Sequence, residues 1–310
     1  MMEPRPARSY LLRINEHLAW CLIGTDLTCA WLEKLARILG LERGYSSTLP
    51  GLLFVPRADE ADGRGDEPPL GDMAARTGLP EGGWKVDRLR PVRMWTHPEA
   101  RDIVFELPDS REPVLDAVSM FHAVFPIYRN ATHIGGMPLH AALVERHGRA
   151  ALLCGASGTG KSTCCRRFPQ EWNVLADDET LVLPGRSGSY LAHPFPTWSD
   201  YWLEGTGRTR KVERAVPLAS LLFLEHSETP GLVPMGQGEA AARINRSALQ
   251  IYERSGLHLE RPLHARMRVR VFDNSCRLAR SLPAFMLRTS LSSPFWEDVE
   301  KTFPELPEDR

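Results

Sequence analysis

The spacing of apolar positions along the chain switches repeatedly between a period near two and a period near 3.6. Over residues 9–23 the apolar residues fall in short runs broken at Asn15-Glu16, which predicts two strands joined by a turn. Ala30, Leu32, Leu35, Ala36 and Leu39 recur at helical spacing, and Gly40 follows them as a cap, so residues 28–39 predict an amphipathic helix. Strands are predicted at 52–55 and within 84–107, around Val92, Met94 and Trp95 and around Ile103, Val104 and Phe105. A helix is predicted at 114–125, followed by a hairpin of 139–145 and 150–154 with its turn at His147-Gly148. Further on, 217–225 reads as a central strand, 239–254 as a helix, 282–287 as a late strand and 294–303 as a terminal helix. Met267, Val269 and Val271 alternate with arginines, which predicts a half-buried strand over 265–272. Residues 57–83 are dense in Gly, Pro and charge and predict a long surface loop. Strands alternating with helices predict an α/β fold, with helices packed on a core sheet.

Composition narrows the class. The 310 residues suffice for two modest domains, and 43% apolar with 25% charged residues fits a globular protein. A formal net charge of −1 gives no global pull toward nucleic acid or an anionic membrane. No apolar run is long enough to span a bilayer, and the polar start Met1-Met2-Glu3-Pro4-Arg5-Pro6 lacks the apolar core of a signal peptide. The cysteines, Cys21, Cys29, Cys154, Cys164, Cys165 and Cys276, form no C-x-x-C pair, so neither a zinc site nor a disulfide framework is expected. A cytoplasmic location is the expectation these features support.

One motif carries chemistry. Gly155-Ala156-Ser157-Gly158-Thr159-Gly160-Lys161-Ser162-Thr163 is a complete G-x-x-x-x-G-K-S phosphate-binding loop. Backbone N–H groups of 156–160 would wrap a β-phosphate, while glycine lets the chain turn and approach without a Cβ clash. Lys161 would bridge β- and γ-oxygens, and the Ser162 hydroxyl would bind Mg²⁺. The apolar run 150–154 ahead of the loop and the helix predicted over 162–168 give the strand–loop–helix context the motif requires, with the helix dipole facing the anion.

A second constellation follows. Val174-Leu175-Ala176 leads into Asp177 and Asp178, two adjacent carboxylates one helix after the loop. At a strand end both can reach the phosphates, one to hold Mg²⁺ and one to accept a proton from an attacking hydroxyl. His140 lies on the strand before the loop strand, beside the phosphates if the hairpin forms.

His140, the loop 155–162 and Ala176-Asp177-Asp178, in that order, resemble the HPr kinase/phosphorylase family and its relative phosphoenolpyruvate carboxykinase. The runs 136–140, 159–165, 193–199 and 294–297 are similar to the SynChlorMet cassette protein ScmC group, an HPr-kinase-like branch found beside genes for ribosomally made, modified peptides. Lasso-peptide precursor kinases are another such branch. The resemblance spans about residues 119–310 and implies an HPr-kinase-like P-loop kinase domain there. Residues 1–118 would then form a smaller α+β region that docks substrate or completes the sheet. It implies ATP and Mg²⁺ as donor and metal, Asp177 as general base, Asp178 with Ser162 as metal ligands, and His140 near the transferred phosphoryl group. The acceptor would be a peptide Ser or Thr, or else a small hydroxyl compound, with neither nucleic acid nor membrane as partner. A homo-oligomer is compatible with it. The longer HPr-kinase signature after the Asp pair is missing, with 200–205 in its place, so HPr itself is not the expected substrate.

Other residues remain candidates. The aromatic run 193–202, with Trp198 at its centre, reads equally as a groove lining or as core packing. Arg208 and Arg210, with Lys211 and Arg214, could stabilise charge on a transferring phosphoryl group, and Gly205 and Gly207 could let them close as a lid. Residues 221–225 mimic a Walker B strand ending in Glu225, which would suit an ATPase instead. A non-catalytic module in which ATP only gates partner binding stays open as well.

Overall fold

In the computed structural model many of the elements read from those periodicities form, and others, such as the strands at Glu179–Pro184, Tyr190–Pro194 and Gly231–Pro234, are not read from them. It describes residues 8–57, 68, 79–80, 82–109, 112–156, 158–203, 208–254 and 261–303. Most of the loop expected at 57–83 lies outside them. The protein is mixed α/β with two sheets. It divides into two compact units, one of Met1–Ile127 with Trp198–Glu213 and Ser255–Glu260, the other of Tyr128–Thr197, Arg214–Arg254 and Arg261–Arg310.

The first unit holds a seven-stranded sheet in the order β3-β1-β2-β4-β7-β6-β5. Its strands are β1 (Arg8–Arg13), β2 (Ala19–Gly24), β3 (Glu42–Arg43), β4 (Gly51–Pro56), β5 (Lys85–Leu89), β6 (Val92–Thr96) and β7 (Ile103–Leu107). Asn15 closes the β1–β2 turn with its side-chain oxygen, which accepts from the N–H groups of His17 at 2.9 Å and Leu18 at 2.8 Å. Helix α1 (Cys29–Leu39) buries Leu32, Leu35, Ala36 and Leu39, four of the five positions read from the sequence, with Ile38 added and Ala30 exposed. It ends at Gly40, whose φ of 68° puts it in the left-handed region that a glycine enters without strain. Helix α2 (Pro113–Ala123) starts on Pro113, where no N–H is needed.

The second unit is built on β8 (Met137–Arg146), β9 (Arg149–Cys154), β10 (Asn173–Ala176), β11 (Glu179–Pro184), β12 (Tyr190–Pro194), β13 (Val216–His226), β14 (Gly231–Pro234) and β15 (Ala284–Thr289). Strand β9 lies between β8, antiparallel, and β13, parallel. Strands β8, β11, β12, β13 and β9 pair in sequence and close a ring, since β9 returns to β8. Strand β8 pairs β11 through its first half and β10 through its second. The helices are α3 (Phe125–His133), α4 (Lys161–Arg167), α5 (Trp198–Leu203), α6 (Gln237–Arg254), α7 (Arg261–Ser281) and α8 (Phe295–Glu300), of which α5 belongs to the first unit. Helix α6 packs on β8 and α7 and buries Ala240, Ile244, Ser247, Ala248 and Ile251 at helical spacing.

One expectation fails. Residues 265–272 lie inside the 21-residue helix α7, not in a strand. Alternation over five residues is too short a signal. Val269 is 63% exposed while Val271 is fully buried, so the two do not share a face. The buried stripe runs Val271, Asn274, Ser275, Leu278 and Ala279, at a period of 3.6. Asn274 secures the helix by donating to Thr132 O at 3.0 Å and Gly136 O at 2.9 Å. Helix α3 was also not foreseen, because Pro126 reads as a breaker. It sits in the first turn, where proline costs nothing. A helical α7 predicts unequal effects of two substitutions that a strand would make alike. In denaturant unfolding, Val269→Ser should change stability by less than about 0.5 kcal/mol and Val271→Ser should cost about 1–3 kcal/mol. Equal losses would contradict the helix.

Candidate functional site

The register of β8 brings the candidate residues together. Ala141 pairs with Cys154, the last residue of β9, so His140 stands level with the start of the glycine-rich loop. On its other side His140 pairs with Glu179. Asp177 and Asp178 form the bend between β10 and β11, two strands that both pair with β8. The two carboxylates are therefore fixed beside His140 by strand pairing rather than by a free loop.

The loop has the backbone the motif demands. Gly158 and Gly160 have φ of 82° and 93°, which only glycine adopts readily. A Cβ on Gly155 would come within 2.4 Å of the Thr159 hydroxyl, which donates to Ala156 O at 2.8 Å. Gly160 O accepts from Cys164 N at 2.8 Å and opens α4. Ser162 is exposed on the first turn, with Thr163 beside it half-buried. Ser157 lies outside the described residues.

Lys161 is buried, 6% exposed, and its ammonium is fully engaged. It donates to Gly155 O at 2.7 Å and Ala156 O at 3.2 Å and stands 2.9 Å from His140 Nε2. His140 Nδ1 lies 2.8 Å from Asp178 Oδ1. A neutral ring with its proton on Nδ1 leaves Nε2 to accept from Lys161 and sets an N–H beside Asp178, at ion-pair distance but outside hydrogen-bond angles. Arg254, the last residue of α6, reaches Asp178 Oδ2 at 3.4 Å and His140 Nε2 at 3.5 Å. Burial lowers the Lys161 pKa, against the opposing pull of Asp178. Burial pushes the Asp178 carboxyl up, but the adjacent His140, Arg254 and Lys161 outweigh it and hold the group below its usual value. Asp177 accepts a hydrogen bond from the Thr197 hydroxyl.

The other candidates have partners of their own. Trp198 is 1% exposed and packs against Phe121 and Tyr201 within the first unit, so it is a packing residue. Arg208 and Arg210 also belong to the first unit, where the Arg210 N–H donates to Ile38 O at 2.8 Å. Gly205 and Gly207 lie outside the described residues. Glu225 is half-exposed at the end of β13 and pairs with Arg288 at 2.8 Å. Burial pushes the Cys154 thiol up to about 12, as expected of an inert core residue. Sequence reasoning missed Arg254 and Thr197. The run His193-Pro194-Phe195-Pro196-Thr197 marked the second, and no local pattern marks the first.

A family model described as SynChlorMet cassette protein ScmC matches residues 103–304. The chain belongs to the ScmC family. That match takes in every residue of the cluster around Lys161, His140, Asp177, Asp178 and Arg254. No curated protein matches the chain. Among the described residues no helix is long and apolar enough to cross a membrane.

The Asp178 contacts set a pH dependence. A carboxyl whose folded pKa lies below its unfolded value stabilises the fold above the unfolded value, and that contribution is lost as pH falls through the folded one. Asp178→Asn should therefore cost about 1.5–3 kcal/mol at neutral pH. The gap to the wild type should shrink as pH falls below 3.8. A gap independent of pH in denaturant titrations would contradict an ionised, partnered Asp178.

Proposed function

We propose that this ScmC-family protein is an ATP- and Mg²⁺-dependent kinase of HPr-kinase-like architecture that transfers the γ-phosphoryl group to a hydroxyl, most plausibly a peptide Ser or Thr. One observation carries the reading. A phosphate-binding loop whose lysine touches His140 at 2.9 Å stands against a carboxylate pair, with His140 at 2.8 Å from Asp178. Loop, lysine, histidine and paired acids supply anion binding, charge neutralisation and a proton acceptor in one place. The peptide acceptor rests on the resemblance to peptide-precursor kinases.

The donor set fits Mg²⁺. A hydroxyl on Ser162 and the carboxylate of Asp178 are hard oxygen ligands. Among the described residues no three His, Cys, Asp or Glu converge into a metal cage. Mg²⁺ takes one or two protein ligands and completes its shell with water and phosphate. Bound there, it would neutralise charge on the β- and γ-phosphates.

This chain's residues then divide the work. Backbone N–H groups of the loop and the Lys161 ammonium hold the triphosphate. Asp177, oriented by Thr197, takes the acceptor proton as the hydroxyl oxygen bonds to the γ-phosphorus. The bond from that phosphorus to the β–γ bridging oxygen breaks, and ADP leaves with the electron pair. His140 and Arg254 face the charge that spreads over the γ-oxygens.

Intact-mass spectrometry of a peptide pool encoded near the gene, incubated with protein, ATP and Mg²⁺, tests this. A phosphate-sized gain is expected, falling on the order of a hundredfold or more in Lys161→Ala. Asp177→Asn should lose transfer while staying folded. ADP release without any peptide gain would mean transfer to water, as in an ATPase, and no peptide gain with ATP bound would move the acceptor to a small hydroxyl compound. ATP binding without turnover on either acceptor would leave a nucleotide-gated binding module.

A further inference from the structure

The loop has a further flank, beside the end of the strand that precedes it. A cleft of about 160 Å³ opens there, between the backbone of Gly155 and Ala156, the end of β13 at Phe223, and the helix α6. The helix contributes Arg243, Arg246, Ser247 and Gln250 to the lining, and no acidic residue lines it. Arg243 lies over the Phe223 ring at 5.9 Å and pairs with Glu239 at 2.9 Å. That pair is exposed and four residues apart on one helix, a type that holds its charges weakly and yields to a better partner. Arg246 has no carboxylate within ion-pair distance among the described residues. The Ser247 hydroxyl donates to His140 O at 3.2 Å, so the same helix face is tied to the candidate site.

Residues 243, 246, 247, 250 and 254 recur at helical spacing and form one stripe along α6. The stripe leads from the cleft to Arg254, which holds Asp178. Two guanidinium groups and a carboxamide around a small cleft match a carboxylate, which guanidinium binds in a two-pronged way. From position 246 to 254 the helix advances about 12 Å, a length that three or four residues of extended peptide cover.

We propose that this cleft is an acceptor-recognition site and that the acceptor carries a carboxylate within about four residues of its hydroxyl, held by Arg246 and Arg243. The proposal rests on the kinase reading for the hydroxyl and stands on its own for the carboxylate. The carboxylate belongs to an acidic side chain or to a free chain end; both present the same chemistry.

The test uses synthetic peptides with one Ser and one Glu placed one to six residues away. Matched peptides carry Gln instead, and a third set carries no acid but ends in a free or an amidated carboxyl. Each set is scored for retention on the full-length protein with a non-hydrolysable ATP analogue and, separately, for phosphate gain with ATP and Mg²⁺. Glu peptides, or free-ended ones, should be retained at least tenfold over their neutral counterparts. Arg246→Glu should abolish that preference, Arg246→Lys should restore part of it, and affinity for the ATP analogue should not move. Selective retention without phosphate gain upholds the cleft and removes the kinase reading. Equal retention of acidic and neutral peptides overturns the cleft whether or not phosphate is transferred. A loss of ATP-analogue affinity in Arg246→Glu would overturn it too, by assigning the arginine to the donor.

Discussion

A buried ammonium group needs anions or acceptors around it, and Lys161 has found them inside its own loop. Two carbonyls, Gly155 O and Ala156 O, and the ring nitrogen of His140 take its protons. Burial lowers its pKa, so the charge is held at a cost. An incoming polyphosphate would offer oxygens of opposite charge in place of neutral carbonyls. The loop is thus built around a cation whose present partners are weaker than a phosphate.

The surrounding fold keeps that cation in register. β9 delivers the loop, and its two neighbours deliver the rest. On one side β8 carries His140 and, through its pairing with β10 and β11, positions the bend at Asp177 and Asp178. On the other side β13 carries Phe223 under Arg243 of α6. Helix α6 spans both, with Ser247 bonded to His140 O and Arg254 on Asp178. A displacement of α6 would change the charge around Asp178 and the lining of the cleft at once.

Much of this was legible in the chain. The loop motif, the hairpin before it and the Asp pair at a strand end are local patterns, each set by a handful of adjacent residues. Helix α1 was legible because its apolar face repeats over three turns. What failed depended on distant partners. The alternation at Met267, Val269 and Val271 imitates a strand over five residues. Only the continuation through Asn274, Leu278 and Ala279, packed within the second unit, gives the helical period. Arg254 lies 76 residues from Asp178 in sequence, and nothing adjacent to it distinguishes it from the other arginines. Thr197 sat in a run whose aromatics drew attention, but Phe195 and Trp198 are buried packing residues, and the threonine hydroxyl is what meets Asp177.

The most direct test of the central claim is a crystal structure with a non-hydrolysable ATP analogue and Mg²⁺. The triphosphate should lie in the loop of 156–160, with the Lys161 ammonium moved from Gly155 O and His140 onto phosphate oxygens. A nucleotide bound elsewhere, with Lys161 still on His140, would contradict the account.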